Sequence, residues 1–289
     1  MMNIENALNE ANKILKKKNI ISYNLDTEIL LSKVIKKDRK FVILNQEQKL
    51  NKFYINYFKK LIKERSNGKP IAYLLGKKSF WNSEFEIKEG TLIPRPETEL
   101  LVEEVLMFTR NKKNLKILDI GVGSGCIILS ILKEKKDFYG IGIDICKKSL
   151  DLSERNAKCL GLKNRVKFIK SDVDNFNNGK YDLIVSNPPY IKRANLKYLN
   201  KEVANFEPKL ALDGGVDGLS GFRKIIKKSS ELIKINGKLF LEIGFDQKKE
   251  IKKILKSKGF YINKVLKDYA GKDRCIVSTK TTNINYGNF

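Results

Sequence analysis

Apolar residues return at helical spacing in the first part of the chain. Ile4, Ala7, Leu8, Ala11, Ile14 and Leu15 keep one stripe, and Leu50, Phe53, Tyr54, Tyr57, Phe58, Leu61 and Ile62 keep another. The second stripe predicts a helix whose aromatic face is core, stopped by Ser66-Asn67-Gly68 and Pro70. A shorter helix is predicted over 27–36. From about 80 the pattern changes: Phe80, Trp81, Phe85 and Ile87 stand among polar residues ahead of Glu89-Gly90, which reads as a short hairpin or extended linker.

The segment Ile93-Pro94-Arg95-Pro96-Glu97-Thr98-Glu99 then opens a helix. Pro96 suits a first turn, Glu97 and Glu99 suit its positive end, and Leu101, Val102, Val105 and Leu106 continue it. Beyond it, strand-like runs over 116–120, 138–143, 166–169, 181–185 and 238–243 alternate with helical patterns near 124–135, 147–159 and 220–235. A helix at 246–257 precedes strand-like runs near 260–266 and 274–279. Short apolar runs separated by helices predict an α/β fold, a parallel sheet covered on both faces. No repeat of fixed period is present, and the residues from about 281 read as a frayed tail.

Composition narrows this picture. The chain has 289 residues, 42% of them apolar, enough for a core in one or two domains. Its net charge is +25, but the basic residues are mostly Lys and spread along the chain, without an Arg-rich block. Such charge favours solubility and nonspecific attraction to polyanions over specific recognition. Histidine is absent, which excludes Ser-His-Asp chemistry, Cys-His chemistry and His-ligated zinc. Cys126, Cys146, Cys159 and Cys275 form no C-x-x-C pair, so no metal site is expected and reduced thiols are. No apolar run approaches ~18 residues. The polar N-terminus, with Arg39 as its first arginine, is unlike a transit peptide. A cytoplasmic protein is expected, without a membrane segment.

The candidate chemistry lies at strand ends. The run 116–120 leads into Gly121-Val122-Gly123-Ser124-Gly125, a turn that lets a ligand approach the backbone beside free helix-start N–H groups. Cys126 stands where G-x-G-x-x-G would have its last glycine, and no P-loop Lys-Ser/Thr follows. Asp144 ends the second strand, where its two oxygens can accept both ribose hydroxyls; it could also cap the following helix. Asp172 follows the third strand, placed for an adenine or for a turn.

The fourth strand ends in Ser186-Asn187-Pro188-Pro189-Tyr190. Two prolines fix the backbone, and the Asn187 side-chain oxygen and a proline carbonyl can accept both bonds of one NH2 group. The Tyr190 ring could stack on a flat substrate. Such a site suits methylation of a planar amide or amine nitrogen, whose delocalised lone pair must be aimed at the methyl donor. S-adenosylmethionine is the expected donor.

The chain resembles the PrmC/HemK peptide-chain release factor glutamine methyltransferases over nearly its whole length. The resemblance rests on Ile93 to Glu99, on the Gly121 to Gly125 turn and on Asn187-Pro188-Pro189-Tyr190. It extends to Glu207-Pro208, Ala211-Leu212-Asp213-Gly214-Gly215, Asp217-Gly218-Leu219 and Glu242-Ile243-Gly244. It implies N5-methylation of the glutamine in the Gly-Gly-Gln motif of class-1 release factors, leaving S-adenosylhomocysteine. It implies a helical substrate-recognition domain (1–78), a hairpin linker (79–93) and a Rossmann-like class I methyltransferase domain (94–289). That domain would hold a seven-stranded, mostly parallel sheet.

By position, the resemblance gives Gly121, Val122, Gly123, Ser124, Gly125, Asp144, Asp172 and Val173 to the cofactor. Val173 stands where the family often has an aromatic residue, so it could cover an adenine but not stack on it. Asn187 would touch cofactor and substrate, Pro188, Pro189 and Tyr190 the glutamine, with Asn187, Pro188 and Tyr190 catalytic. The helices would grip a protein, with no stable nucleic-acid binding and a monomeric enzyme.

Two other readings share part of this signature. An adenine-N6 methyltransferase needs the same turn and Asn-Pro-Pro-Tyr, and the basic charge would suit it. It usually carries a target-recognition insert, for which the roughly thirty residues between Tyr190 and the helix predicted at 220 leave little room. A non-catalytic adaptor would be expected to lose Asp144 or Asn187-Pro188-Pro189-Tyr190, and both are intact.

Overall fold

A computed structural model describes residues 2–282, so most of the tail expected from 281 lies outside the described residues. The chain forms two compact units. One comprises the chain up to Lys77 with Asn200–Phe206; the other comprises Lys78–Leu199 with the chain from Glu207 onward.

The first unit is helical. Helices α1 (Ile4–Lys17), α3 (Arg39–Leu44) and α4 (Lys52–Ser66) each begin at a side-chain cap. Asn3 accepts from the Asn6 N–H at 2.9 Å, Asp38 from Phe41 at 2.7 Å and Asn51 from Tyr54 at 2.9 Å. Helix α2 spans Tyr23–Ile35 and α5 spans Ile71–Leu75, ending on Gly76 at φ +76°. Ile4, Leu8, Leu15, Leu30, Leu31, Phe58, Leu61 and Ile62 form the core. Of the α4 stripe, Phe53 is not core but 71% exposed. At 100° per residue it stands about 140° around the helix from Phe58, on the far face.

A buried ion cluster ties this unit together. Arg65, on α4, donates to Asp26 Oδ2 at 2.6 Å, to Glu202 Oε1 at 2.7 Å and to the Lys69 carbonyl at 3.0 Å. Ser22 Oγ adds a bond to Asp26 at 3.0 Å. The Glu202 contact is how Asn200–Phe206 returns to the helices.

The second unit begins with a hairpin, β1 (Lys77–Phe80) and β2 (Ser83–Glu86), and helix α6 (Glu99–Phe108). Strands and helices then alternate: β3 (Lys116–Ile120), α7 (Cys126–Glu134), β4 (Tyr139–Asp144), α8 (Lys147–Cys159), β5 (Val166–Lys170) and β6 (Tyr181–Ser186). After α9 (Lys201–Phe206), which belongs to the first unit, come α10 (Ser220–Leu232), β7 (Ile233–Glu242), α11 (Lys248–Ser257), β8 (Phe260–Lys267) and β9 (Asp273–Lys280). The seven-stranded sheet has the order β5-β4-β3-β6-β7-β9-β8. It is parallel except where β9 pairs antiparallel with β7 and β8.

The α/β pattern and a seven-stranded, mostly parallel sheet are thus as expected. Leu118, Ile120, Ile143, Ile184, Leu239, Leu241 and Phe222 pack in one buried cluster. Two stretches differ from the pattern. Strand β7 starts at Ile233, not near 238, because β-branched Ile233 and Ile235 extend it backward across Asn236 (φ +64°) and Gly237. Between Tyr190 and α10, three short helices, Arg193–Tyr198, α9 and Lys209–Ala211, occupy a stretch whose apolar spacing is too brief to announce them. Among the described residues no helix is long and apolar enough to cross a membrane.

Replacing Arg65 with Met leaves the Asp26 carboxylate buried without its main partner. It should destabilise the helical unit by about 3–5 kcal/mol, read as an earlier loss of helical circular dichroism in urea. An unchanged midpoint would show that the cluster contributes nothing.

Candidate active site

The chain lays β4 and β5 on one side of β3 and β6 and β7 on the other. The crevice beyond the carboxyl ends of β3 and β6 is therefore a topological switch point, the place where open α/β sheets bind ligands. Ile120 pairs with Ser186 in register, and Ser186 Oγ donates to the Ile120 carbonyl at 2.7 Å. The next residues on the two strands, Gly121 and Asn187, therefore leave the sheet side by side.

A cavity of about 420 Å³ opens there. Its walls include Gly121, Val122, Gly123, Ser124, Asp144, Asp172, Val173, Asn187, Pro188 and Pro189. Of the residues expected at the site, Gly125 and Tyr190 are not among its walls.

The turn is built for close approach. Gly121 has φ +77° and Gly123 φ +57°, and a methyl on Gly121 would meet no atom within 4 Å. That open side belongs to the cavity. Gly125, at φ +82°, has a packing role: an added methyl would stand 2.9 Å from Leu129 Cδ1 and 3.4 Å from Ser153 Cβ. The Ile143 carbonyl accepts from Gly121 at 2.9 Å and from Val122 at 3.0 Å, tying the turn to β4.

Asp144 ends β4 with both oxygens oriented by backbone. Oδ1 accepts from the Cys146 N–H at 2.8 Å and Oδ2 from Gly123 at 3.0 Å. Burial raises its pKa, and the Cys146, Gly123 and Ile145 N–H groups pull the other way. The first residue of α8 is preceded by Cys146, so Asp144 is a turn former two residues ahead rather than the cap itself. Each oxygen keeps a second lone pair. Asp172 does form a turn: its Oδ1 accepts from Asp174 at 2.9 Å, capping the short helix Val173–Asn175. Val173 also packs against the main core.

On the β6 side, Asn187 Nδ2 donates to Thr98 Oγ1 at 3.1 Å, and Thr98 Oγ1 donates to Glu242 Oε2 at 2.6 Å. Tyr190 turns inward, where its hydroxyl donates to Glu242 Oε1 at 3.3 Å and accepts from Arg274 Nη1 at 3.4 Å. The Pro-Pro-Tyr backbone is clamped by the segment after Leu212. Gly214 donates to the Ile191 carbonyl at 2.8 Å, and Gln247 Nε2 donates to the carbonyls of Tyr190 and Gly218, both at 3.0 Å. A methyl on Gly214 would stand 2.9 Å from the Pro189 oxygen and from the Gly218 Cα, so only glycine permits this approach. Glu207 ties the Ile93–Pro96 segment down, accepting from the Ile93 N–H at 3.2 Å and from Arg95.

Two buried carboxyl groups complete the surroundings. Burial pushes Glu242 up to about 7, with Thr98, Arg274 and Tyr190 opposing and Glu97 adding to the rise. Burial pushes Asp119 up to about 7 as well, with the nearby Asp144 charge adding to the rise and the Ile128 N–H opposing it, too far off line to form a full hydrogen bond. The sequence reasoning assigned a role to none of Thr98, Glu242 and Asp119. The available signal was an acidic residue inside an apolar strand run, at Asp119 in β3 and Glu242 at the end of β7. Among the described residues no group of three or more Cys, Asp or Glu could hold a metal ion.

Comparison with known proteins places the chain among its relatives. Residues 6–76 match the family described as PrmC N-terminal domain, and residues 96–206 the methyltransferase small domain. A protein of Buchnera aphidicola subsp. Baizongia pistaciae named release factor glutamine methyltransferase is 41% identical over 96% of this chain and 100% of its own length. One of the same name from Clostridium acetobutylicum is 38% identical over 96% and 99%. A methyltransferase from Pyrococcus furiosus, 18% identical, covers 71% of this chain and 92% of its own at a TM-score of 0.54. A ribosomal protein L11 methylase from Lactobacillus delbrueckii subsp. bulgaricus, 18% identical, covers 68% and 84% at 0.51. These two share the fold.

Gly125→Ala forces a left-handed backbone on a residue with a side chain and pushes it against Leu129. The variant should lose about 1–3 kcal/mol of stability, measured by urea denaturation. Wild-type stability would mean that the turn does not hold this conformation.

Proposed function

The chain belongs to the release factor glutamine methyltransferase family, and from that we propose its reaction. It transfers a methyl group from S-adenosyl-L-methionine to the side-chain N5 of the glutamine in the Gly-Gly-Gln motif of class-1 release factors. The observation that carries this reading is Asn187. Its NH2 turns to donate to Thr98, which leaves its oxygen on the opposite side of the amide to accept, beside the open turn at Gly121.

The residues fit the cofactor. The cavity volume lies in the range of small-molecule sites. The open side of Gly121 admits a ligand against the backbone, and Asp144, oriented by two N–H groups, stands in the cavity wall with lone pairs to spare. S-adenosylmethionine, when bound, supplies an electrophilic methyl on a sulfonium and leaves as S-adenosylhomocysteine.

The chain's own residues do the rest. We assign Gly121, Val122, Gly123 and Ser124 to the cofactor's floor, with Gly125 packing that turn onto α7. Asp144, already oriented by two N–H groups, accepts the ribose hydroxyls. Asp172 and Val173 border the adenine end. Asn187 Oδ1 and the Pro188 carbonyl accept the two amide N–H bonds of the substrate, with Pro189 shaping the wall. Accepting both bonds raises electron density on nitrogen and favours the pyramidal attacking geometry, which stabilises the transition state more than the ground state. Tyr190 serves from behind, anchoring the Pro-Pro turn through Glu242 and Arg274. No base is needed before transfer, because the alkylated nitrogen is acidic enough to release its proton to water.

We assign the helical part, 1–78, to gripping the release factor, with 79–93 as linker and 94–289 as the catalytic part. The same reading has the enzyme act in the cytoplasm as a monomer without stably holding nucleic acid. The four free cysteines and the even spread of Lys agree with it.

The test is transfer of labelled methyl from S-adenosylmethionine to a purified class-1 release factor, beside a Gln→Ala variant of its Gly-Gly-Gln loop and duplex DNA. Label on the unaltered factor alone is the expected result; label on DNA would replace this reading with adenine methylation. Asn187→Ala should lower kcat by roughly 10²–10³, as for removal of one preorganised hydrogen bond in a transition state, and near-normal turnover would remove the mechanism. Asp144→Ala should weaken S-adenosylmethionine binding by about 10–100-fold, the equivalent of about 1.5–3 kcal/mol for bonds to a charged group. Unchanged affinity by calorimetry would displace the cofactor from β4.

A further inference from the structure

Behind Asn187 a chain of hydrogen bonds runs from the cavity wall, where Thr98 also stands, into the buried interior. Asn187 donates to Thr98, and Thr98 and Tyr190 donate to the two oxygens of Glu242. Arg274 donates to the Tyr190 hydroxyl and is itself held by Asp268 through Nε at 3.2 Å and Nη2 at 3.0 Å. Thr98 and Glu242 are buried. A bond lost at the buried carboxylate leaves a costly unpaired group.

Counting protons fixes the direction of this chain. An ionised Glu242 can only accept. The one hydroxyl hydrogen of Thr98 then goes to Glu242, and Thr98 Oγ1 can only accept from Asn187. Asn187 must therefore turn its NH2 toward Thr98 and its carbonyl oxygen toward the cavity. We infer that Glu242 is a positioning residue for the reaction: acting through Thr98, its negative charge sets which end of the Asn187 amide faces the substrate glutamine. The inference rests on the reading of Asn187 Oδ1 as an acceptor of the glutamine N–H.

Protonation of Glu242 reverses the logic. A neutral Glu242 can donate to Thr98 Oγ1, and the Thr98 hydrogen is released toward Asn187. The amide then turns over and offers its NH2 to a substrate NH2, which repels. The competent form is the charged one, and burial has moved its titration up to about 7. Activity therefore rises with pH through that region.

The groups facing Glu242 are Thr98 and Glu97 ahead of α6, Tyr190 after β6, Arg274 and Cys275 on β9, and Cys126 on α7. Arg95 lies beyond Tyr190. Burial pushes Cys126 up to about 12 and raises Cys275 and Tyr190 as well, so these stay protonated near neutrality. Asp119, on β3, is the other carboxyl group pushed up to about 7.

The experiment compares wild type with Thr98→Val, Thr98→Ser and Glu242→Gln at saturating S-adenosylmethionine, with release factor as substrate. Cofactor affinity is followed by calorimetry, and carboxyl protonation by infrared difference between wild type and Glu242→Gln. Thr98→Val keeps the shape but breaks the relay. It should lower kcat by up to about 10²-fold, the scale of a misplaced reacting group, with cofactor affinity within about twofold. Thr98→Ser keeps the hydroxyl and should recover most of the rate. In Glu242→Gln, whose amide can accept or donate, the rise of kcat through pH 7 should flatten.

Thr98→Val with wild-type kcat would overturn the inference while leaving the methyltransferase reading intact. A pH limb unchanged in Glu242→Gln overturns it too, since that limb then belongs to Asp119 or another group. This second result decides the matter if Thr98→Val does not fold. A wild-type protein that methylates no release factor overturns the reading and the inference together.

Discussion

The pairing of β3 with β6 is the constraint on which the site depends. Ile120 and Ser186 stand opposite each other, fastened by the Ser186 hydroxyl on the Ile120 carbonyl. One residue further, the glycine turn and the Asn-Pro-Pro-Tyr turn leave the sheet as neighbours. A slip of one residue would reverse every side chain of the strand relative to the core, and Leu183 and Ile184 would exchange environments. The buried apolar faces on both sides of the sheet thus hold the register, and the register holds the distance between the glycine turn and the Asn-Pro-Pro-Tyr turn. The link to β4, two N–H bonds on the Ile143 carbonyl, extends the same control to Asp144.

Around this frame the sequence places charges where a core would not want them. Asp119 and Glu242 lie within or at the end of central strands, each buried and each pushed up to about 7. A carboxyl group whose folded pKa lies above its unfolded value opposes folding as pH rises toward that folded value, because the folded chain then binds more protons than the unfolded one. Perturbed groups of this kind cluster at functional sites. Here the two differ in kind: Glu242 has two side-chain hydroxyls donating to it, whereas Asp119 has only the weakly placed Ile128 N–H to oppose its burial.

Much of this architecture was legible in the sequence, because apolar runs bounded by polar turns mark a buried parallel sheet. Strand β3 and helix α8 begin and end where their patterns do, and the strand ends carrying Gly121, Asp144 and Asn187 could be named in advance. What stayed hidden depends on contacts between distant residues. Phe53 keeps nearly the spacing of its stripe yet faces outward, since five residues from Phe58 carry it past the buried arc. Nothing local says that Asn200–Phe206 joins the helical unit; that follows from Arg65 meeting Glu202. Tyr190 carries a ring that could stack on a substrate, but a buried carboxylate on β7 offers its hydroxyl a partner, and the ring follows. Glu242 and Thr98 lie 144 residues apart, so the relay between them has no sequence signature.

The chemistry of this network also explains why residue 187 is an asparagine. The reaction proposed above requires an acceptor at residue 187 facing the substrate N–H, and an aspartate would be a stronger one. Thr98, however, has given its only hydrogen to Glu242 and can offer residue 187 nothing but a lone pair. An aspartate would press its negative charge against that lone pair with Glu242 beyond it, and both burial and like charge would drive it to take up a proton. Its orientation would then be decided by where that proton sat. Asparagine alone among side chains of that length brings a permanent donor for Thr98 and a permanent acceptor for the substrate. In a chain without histidine, the proposed mechanism thus rests on fixed polarity, with proton transfer left until after the methyl has moved.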